Sequence, residues 1–137
     1  MIEILVVMAI VTVLAGLGLW IGMDSFRGYS YRSERNRFIS SLQKARLESM
    51  TNINESKHGV RVESDKYVIF EGDSYDSNPN SHEISVLSGG VNITGVTFPY
   101  DAIFDQLSGT ASGTTLNITD GARNSLISIN NEGRISW

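Results

Sequence analysis

From Ile4 to Met23 the chain runs for 20 residues without a charged side chain. A helix rising about 1.5 Å per residue carries such a run across about 30 Å, the thickness of the hydrocarbon core of a bilayer. Its residues are Ile, Leu, Val, Met and Ala with Thr12, Trp20 and three glycines, and it lacks proline, so an unbroken helix is expected. Gly16, Gly18 and Gly22 loosen its second half, and Trp20 suits a membrane interface. The segment holds 16 of the 56 apolar residues of a 137-residue chain. The remaining 117 residues are 34% apolar and make one small, polar domain.

Charge divides at the same place. Residues 1–50 carry +2 and residues 51–137 carry −6, which sums to the net −4 of the whole chain. An acidic distal domain argues against nucleic acid as the main partner. Without cysteine the domain has no disulfide, thiolate metal site or thiol nucleophile, and is held by packing and strand pairing.

Topology is less direct. A secretory signal peptide has an apolar core of about 7–15 residues behind a basic start, whereas this run is longer and opens on Met1-Ile2-Glu3. The basic cluster Arg27, Arg32, Arg35, Arg37, Lys44 and Arg46 follows the run, and the positive-inside rule then places the distal domain in the cytoplasm unless a basic leader precedes it. Glu3 has two readings. It is either a helix-start carboxylate favoured by the helix dipole, or an intramembrane charge that requires a cation from another chain.

The stretch Ile2-Glu3-Ile4-Leu5-Val6-Val7-Met8-Ala9-Ile10, with Leu14-Ala15 beyond it, resembles the N-terminal signature of type IV pilins and pseudopilins, in which Phe-Thr-Leu-Ile-Glu opens a hydrophobic helix. The preceding Phe and Thr are not in the sequence and Met1 stands where Leu is usual, so a missing leader and missing first residues are expected. The resemblance implies cleavage and N-methylation by a prepilin peptidase/methyltransferase. It also implies an inner-membrane single pass with a periplasmic distal domain, then extraction by an inner-membrane assembly platform into a periplasmic or extracellular filament. Glu3 would set register by neutralising the terminal amine of a neighbouring subunit. Ile4, Leu5, Val6, Val7, Ile10 and Leu14 would pack in the filament core, and the partners would be other pilin or pseudopilin subunits and membrane lipid.

Residues 24–55 read as an amphipathic helical continuation. Phe38, Leu42, Ala45 and Ser49 form a stripe, with Ile39, Arg46 and Met50 beside it, and Asn52 and Asn54 provide stop signals. Arg27–Arg35 has weaker periodicity and alternating charge, which fits a helix facing solvent or neighbouring subunits. From residue 56 to 137 the period becomes two. Strands are expected at Gly59–Glu63, Lys66–Glu71, Glu83–Leu87, Val91–Phe98, Thr114–Thr119, Ser125–Asn130 and Arg134–Trp137. Gly89-Gly90, Asp120-Gly121 and Glu132-Gly133 supply turns between antiparallel strands in one sheet or two small ones. The expected fold is α+β and pilin-like: a long N-terminal helix, its first half transmembrane, packed on a C-terminal antiparallel β domain. Phe38–Ser49, Ile93–Phe98 and Ile127–Ile135 are similar to GspH/FimT-type minor pilins and pseudopilins.

No other chemistry assembles. Asp73, Asp76, Asn78, Asn80 and Glu83 resemble an EF-hand loop starting at Asp76, but Ser81 replaces the turn glycine and Leu87 the bidentate Glu, so no metal is assigned. His58 and His82 are isolated, no nucleophile elbow or phosphate loop is present, and neither an enzyme nor a cofactor is expected. Arg123 and Arg134 are too few for DNA capture beside a net −6. Two alternatives to a minor subunit stay open: a major pilin, and a membrane-anchored periplasmic binding module that never polymerises.

Overall fold

The computed structural model describes residues 2–76, 79–88 and 90–137, with the side chains of residues 18–25 and 79 outside that description. The chain is α+β. Among the described residues, one α-helix, α1 (Ile2–Met50), is followed by eight strands: β1 (His58–Val62), β2 (Lys66–Glu71), β3 (Glu83–Val86), β4 (Asn92–Thr94), β5 (Tyr100–Phe104), β6 (Thr114–Thr119), β7 (Asn124–Ile129) and β8 (Ile135–Ser136). They form two four-stranded sheets, ordered β3-β2-β1-β5 and β4-β6-β7-β8, with every pairing antiparallel. The bridge Phe104–Ala111 joins their neighbourhoods.

The C-terminal part of α1 supplies the centre of the core. Phe38, Leu42, Ala45 and Ser49 are fully buried at helical spacing, with Ile39 beside them. Alternation does the same for the sheets. Val60, Val62, Tyr67, Ile69 and Phe104 point inward from the first sheet, and Ile93, Leu116, Ile118, Ile127 and Ile129 from the second. The Phe38 and Tyr67 rings meet edge to face at 5.1 Å. Ser49 ties the helix to strand backbone, donating from Oγ to the Phe104 carbonyl at 3.0 Å and accepting from the His58 amide at 2.8 Å.

The first sheet is also covered on its outer face. Val68 and Phe70 are buried there, with Tyr75 edge-on to Phe70 at 5.8 Å and stacked on His82 at 4.2 Å. Arg61 lies 4.0 Å from the Tyr75 ring centre and makes a two-pronged contact with Asp101, both bonds 2.6 Å. That carboxylate holds the guanidinium above its usual range. Gly59 opposes Phe70 in this face, where a Cβ would stand 2.6 Å from the Phe70 ring.

Several expectations are corrected. The helix ends at Met50 rather than 55, and Asn52 and Asn54 adopt left-handed backbone around a short 3-10 turn, Ile53–Glu55. Met50 is exposed rather than part of the buried stripe. The run Val91–Phe98 yields only Asn92–Thr94, cut by Gly95 at φ 96, where a Cβ would approach the Thr115 carbonyl to 3.1 Å. Strand β5 was not expected at all. In the Arg27–Arg35 stretch, Tyr31 and Glu34 are buried, with Tyr31 Oη donating to the Ile118 carbonyl at 3.2 Å.

Candidate functional site

The first turns of α1 form an arm with no packing partner. Ile4 is 69% exposed, Leu5 71%, Ile10 54% and Leu14 63%, and Val6, Val7, Val11, Val13 and Leu17 are exposed as well. Successive helical residues turn about 100° apart, so these positions leave no buried side. A Cβ on Gly16 would meet nothing within 4 Å. Among the described residues, the first buried side chain of α1 is Tyr31.

The arm is chemically uniform. Its one hydroxyl, on Thr12, donates to the Met8 carbonyl at 2.7 Å and so is absorbed by its own helix. Fully burying each large aliphatic side chain is worth about 1.5–3 kcal/mol, so leaving this partly exposed set in water costs on the order of 10 kcal/mol, which favours an apolar surrounding for the arm. Glu3 sits in the first turn, exposed, and among the described residues nothing pairs with it. The structure therefore brings Glu3, Ile4, Leu5, Val6, Val7, Ile10 and Leu14 onto one helical segment, on all sides of it rather than on one face.

The segment Ile4–Met23 continues into side chains that lie outside the described residues. Among the described residues, no helix is long and apolar enough to cross a membrane.

The basic cluster that follows is not one solvated face. Arg27 and Arg32 are exposed, but Arg35 reaches Ser125 Oγ at 3.5 Å and Arg46 donates to the Glu132 carbonyl at 3.3 Å, each bringing the β6–β8 sheet against the helix. Arg37 contacts Glu34 at 3.4 Å, and Ser88 donates to the same carboxylate at 2.6 Å. Sequence reasoning missed the buried Glu34, because its Ser88 partner is 54 residues away.

The oxygen-rich loop residues disperse. Asp73 pairs with Lys57 at 3.4 Å, and Lys57 also reaches Asp105 at 3.0 Å, which holds the ammonium above its ordinary range. Glu83 pairs with Lys44 on the helix and raises that lysine in the same way. Asn78 lies outside the described residues. Among the described residues, no three His, Asp or Glu side chains gather as a metal site. His82 accompanies Tyr75, while His58 is buried 3.4 Å from Glu48 and 3.1 Å from the Ile53 carbonyl. Arg123 turns toward Asp120 and Arg134 lines a cleft with Arg46 and Met50.

Comparison with protein-family models, curated proteins and solved structures yielded no match.

Proposed function

We propose that the chain is a structural subunit, a minor pilin or pseudopilin, of a type IV pilus-like or type II secretion filament. The observation that carries this reading is the α1 arm: an uncharged helix, exposed on every side, that opens on Glu3 and leads into a separately packed β domain. A helix apolar all round is at home in lipid or in a bundle of similar helices, and transfer between the two exchanges one apolar surrounding for another. Before assembly the arm would lie in the inner membrane with the β domain periplasmic; after assembly it would pack in the filament core.

Glu3 then acts in register. A carboxylate and an ammonium buried apart are each costly, and pairing them across neighbouring subunits fixes their axial stagger. The test is Glu3→Ala in the native host, read by filament fractionation and by membrane extraction of the cell pool. Reduced incorporation with unchanged membrane retention is expected. Wild-type incorporation would remove the register role. Retention of the unmutated chain in the membrane with no recovery in any filament fraction would favour the non-polymerising anchored module instead.

A further inference from the structure

Just past the uncharged run, α1 exposes two aromatic rings: Phe26 is 75% exposed and Tyr29 73%. Phe26, Tyr29, Ser33, Asn36 and Ser40 follow one another at spacings of three and four, so they share one face of α1, and all five are exposed. The rings occupy the part of that face nearest the run, and beyond Tyr29 the face is polar. Resting on the reading of the arm as a membrane segment, we propose that Phe26, Arg27, Tyr29 and Arg32 form a collar that binds the headgroups of anionic phospholipids and seats the β domain on the membrane surface.

Position places the collar at the bilayer surface. With Met23 at the hydrocarbon boundary and about 1.5 Å per residue, Phe26 lies about 4.5 Å beyond it, Tyr29 about 9 Å and Arg32 about 13.5 Å. The headgroup layer is about 5–7 Å deep on each side of the hydrocarbon. Helical side chains lean toward the N-terminus, here toward the bilayer. That lean carries the Phe26 ring to the boundary and the Tyr29 ring among the headgroups, where aromatic side chains are favoured. The flexible stem of Arg32 brings its guanidinium back toward the phosphates.

Charge selects the lipid. Arg27 and Arg32 are exposed, and among the described residues neither has an ion pair. The neighbouring cations are engaged: Arg35 donates to Ser125 and Asn36, Arg37 pairs with Glu34, and Arg123 pairs with Asp120. The neighbouring acids are engaged as well, since Glu34 also accepts from Ser88, and Asp120 from the Ala122 and Arg123 amides. Asp24, whose side chain lies outside the described residues, offsets at most one of the two free arginines, which leaves +1. A phosphodiester without a cation of its own supplies the missing partner. A zwitterionic headgroup brings an ammonium that competes with the guanidinium.

The domain meets the helix at the same level. A Cβ on Gly28 would stand 3.5 Å from the Arg123 guanidinium, so the turn between β6 and β7 touches α1 between the two free arginines. The exposed tip of that turn is Gly121-Ala122, without charge. An anionic leaflet repels the rest of the domain, whose residues from 51 onward carry −6, and attracts the collar. The two effects together fix which pole of the domain faces the bilayer.

The test is electron spin resonance of the full chain reconstituted in phosphatidylcholine bilayers that carry a trace of spin-labelled phosphatidylglycerol or phosphatidylcholine. Motionally restricted lipid is expected, with phosphatidylglycerol favoured at least about threefold at low salt. The preference should fall toward unity in about 1 M NaCl and in the Arg27→Gln/Arg32→Gln double variant. Should that variant misfold, the salt series on the unaltered chain reads the same contact. In a Trp20→Phe/Trp137→Phe background, Phe26→Trp emission should be quenched more by lipid spin-labelled near the headgroup than by aqueous iodide. Restricted lipid with no headgroup preference, a preference that survives both salt and the double variant, or quenching chiefly by iodide would each overturn the collar while the membrane reading of the arm stands. No restricted lipid at all would overturn both. A double variant that keeps the lipid preference but is lost from filament fractions would assign the collar to a neighbouring subunit instead.

Discussion

Gly133 and Gly109 lie back to back: a Cβ on Gly133 would stand 1.8 Å from the Gly109 carbonyl oxygen. Gly133 is also left-handed, at φ 71, in the turn that leads into β8. Gly133→Ala must move backbone on both sides of this contact and accept a strained φ. Destabilisation by at least about 2 kcal/mol is expected, read as a lower urea midpoint with unchanged slope.

The buried stripe of α1 sets a second expectation. Phe38 is fully buried against Tyr67, whereas Leu47, about two and a half turns on, is 60% exposed. Phe38→Ala should cost about 3–5 kcal/mol, and Leu47→Ala should stay within about 0.5 kcal/mol. Equal losses at the two positions would contradict the way the helix is docked.

Acid sensitivity should centre on the β6–β7 turn. Asp120 accepts from the Arg123 amide at 2.6 Å and the Ala122 amide at 3.0 Å, and from the Arg123 guanidinium at 3.1 Å, which together lower its carboxyl below the ordinary value. Asp105, held by Lys57 and Thr110, is lowered too, though its greater exposure weakens the effect. A lowered folded value means that the native state binds protons less readily than the unfolded chain. The stabilisation is therefore complete above the unfolded carboxylate value, about 4, and is lost as pH falls through the folded one. Asp120→Asn should flatten the fall in urea midpoint below about pH 4.

The arm should be separable from the domain. Residues 2–17 contribute no buried side chain, so deleting them should leave the thermal midpoint of the β domain within a few degrees. Detergent dependence should decline in the same variant. A large drop in midpoint would show that the arm supports the core.

How much of this was readable from residue order depended on whether the signal was local. Strands β2 and β6 have the bounds their alternation predicts, because Tyr67, Ile69, Leu116 and Ile118 recur on one face. β5 escaped notice because Asp101 sits second in it, a charge that reads as a turn until Arg61 on the neighbouring strand neutralises it. Tyr31 and Glu34 look solvent-facing beside so many arginines, and their burial depends on Ile118 and Ser88, far along the chain. The arm was legible from its uncharged run alone.

A single helix of 49 residues is about 74 Å from end to end at about 1.5 Å per residue. Among the described residues, its far half is the part clasped between sheets, through Tyr31, Phe38, Leu42, Ala45 and Ser49. A pull on the arm along its axis therefore reaches the domain as sliding between parallel surfaces, with all of those contacts strained together. A sideways pull would open them one after another. The geometry makes the subunit mechanically anisotropic, stiff to axial tension and soft to bending at the point where α1 leaves the sheets.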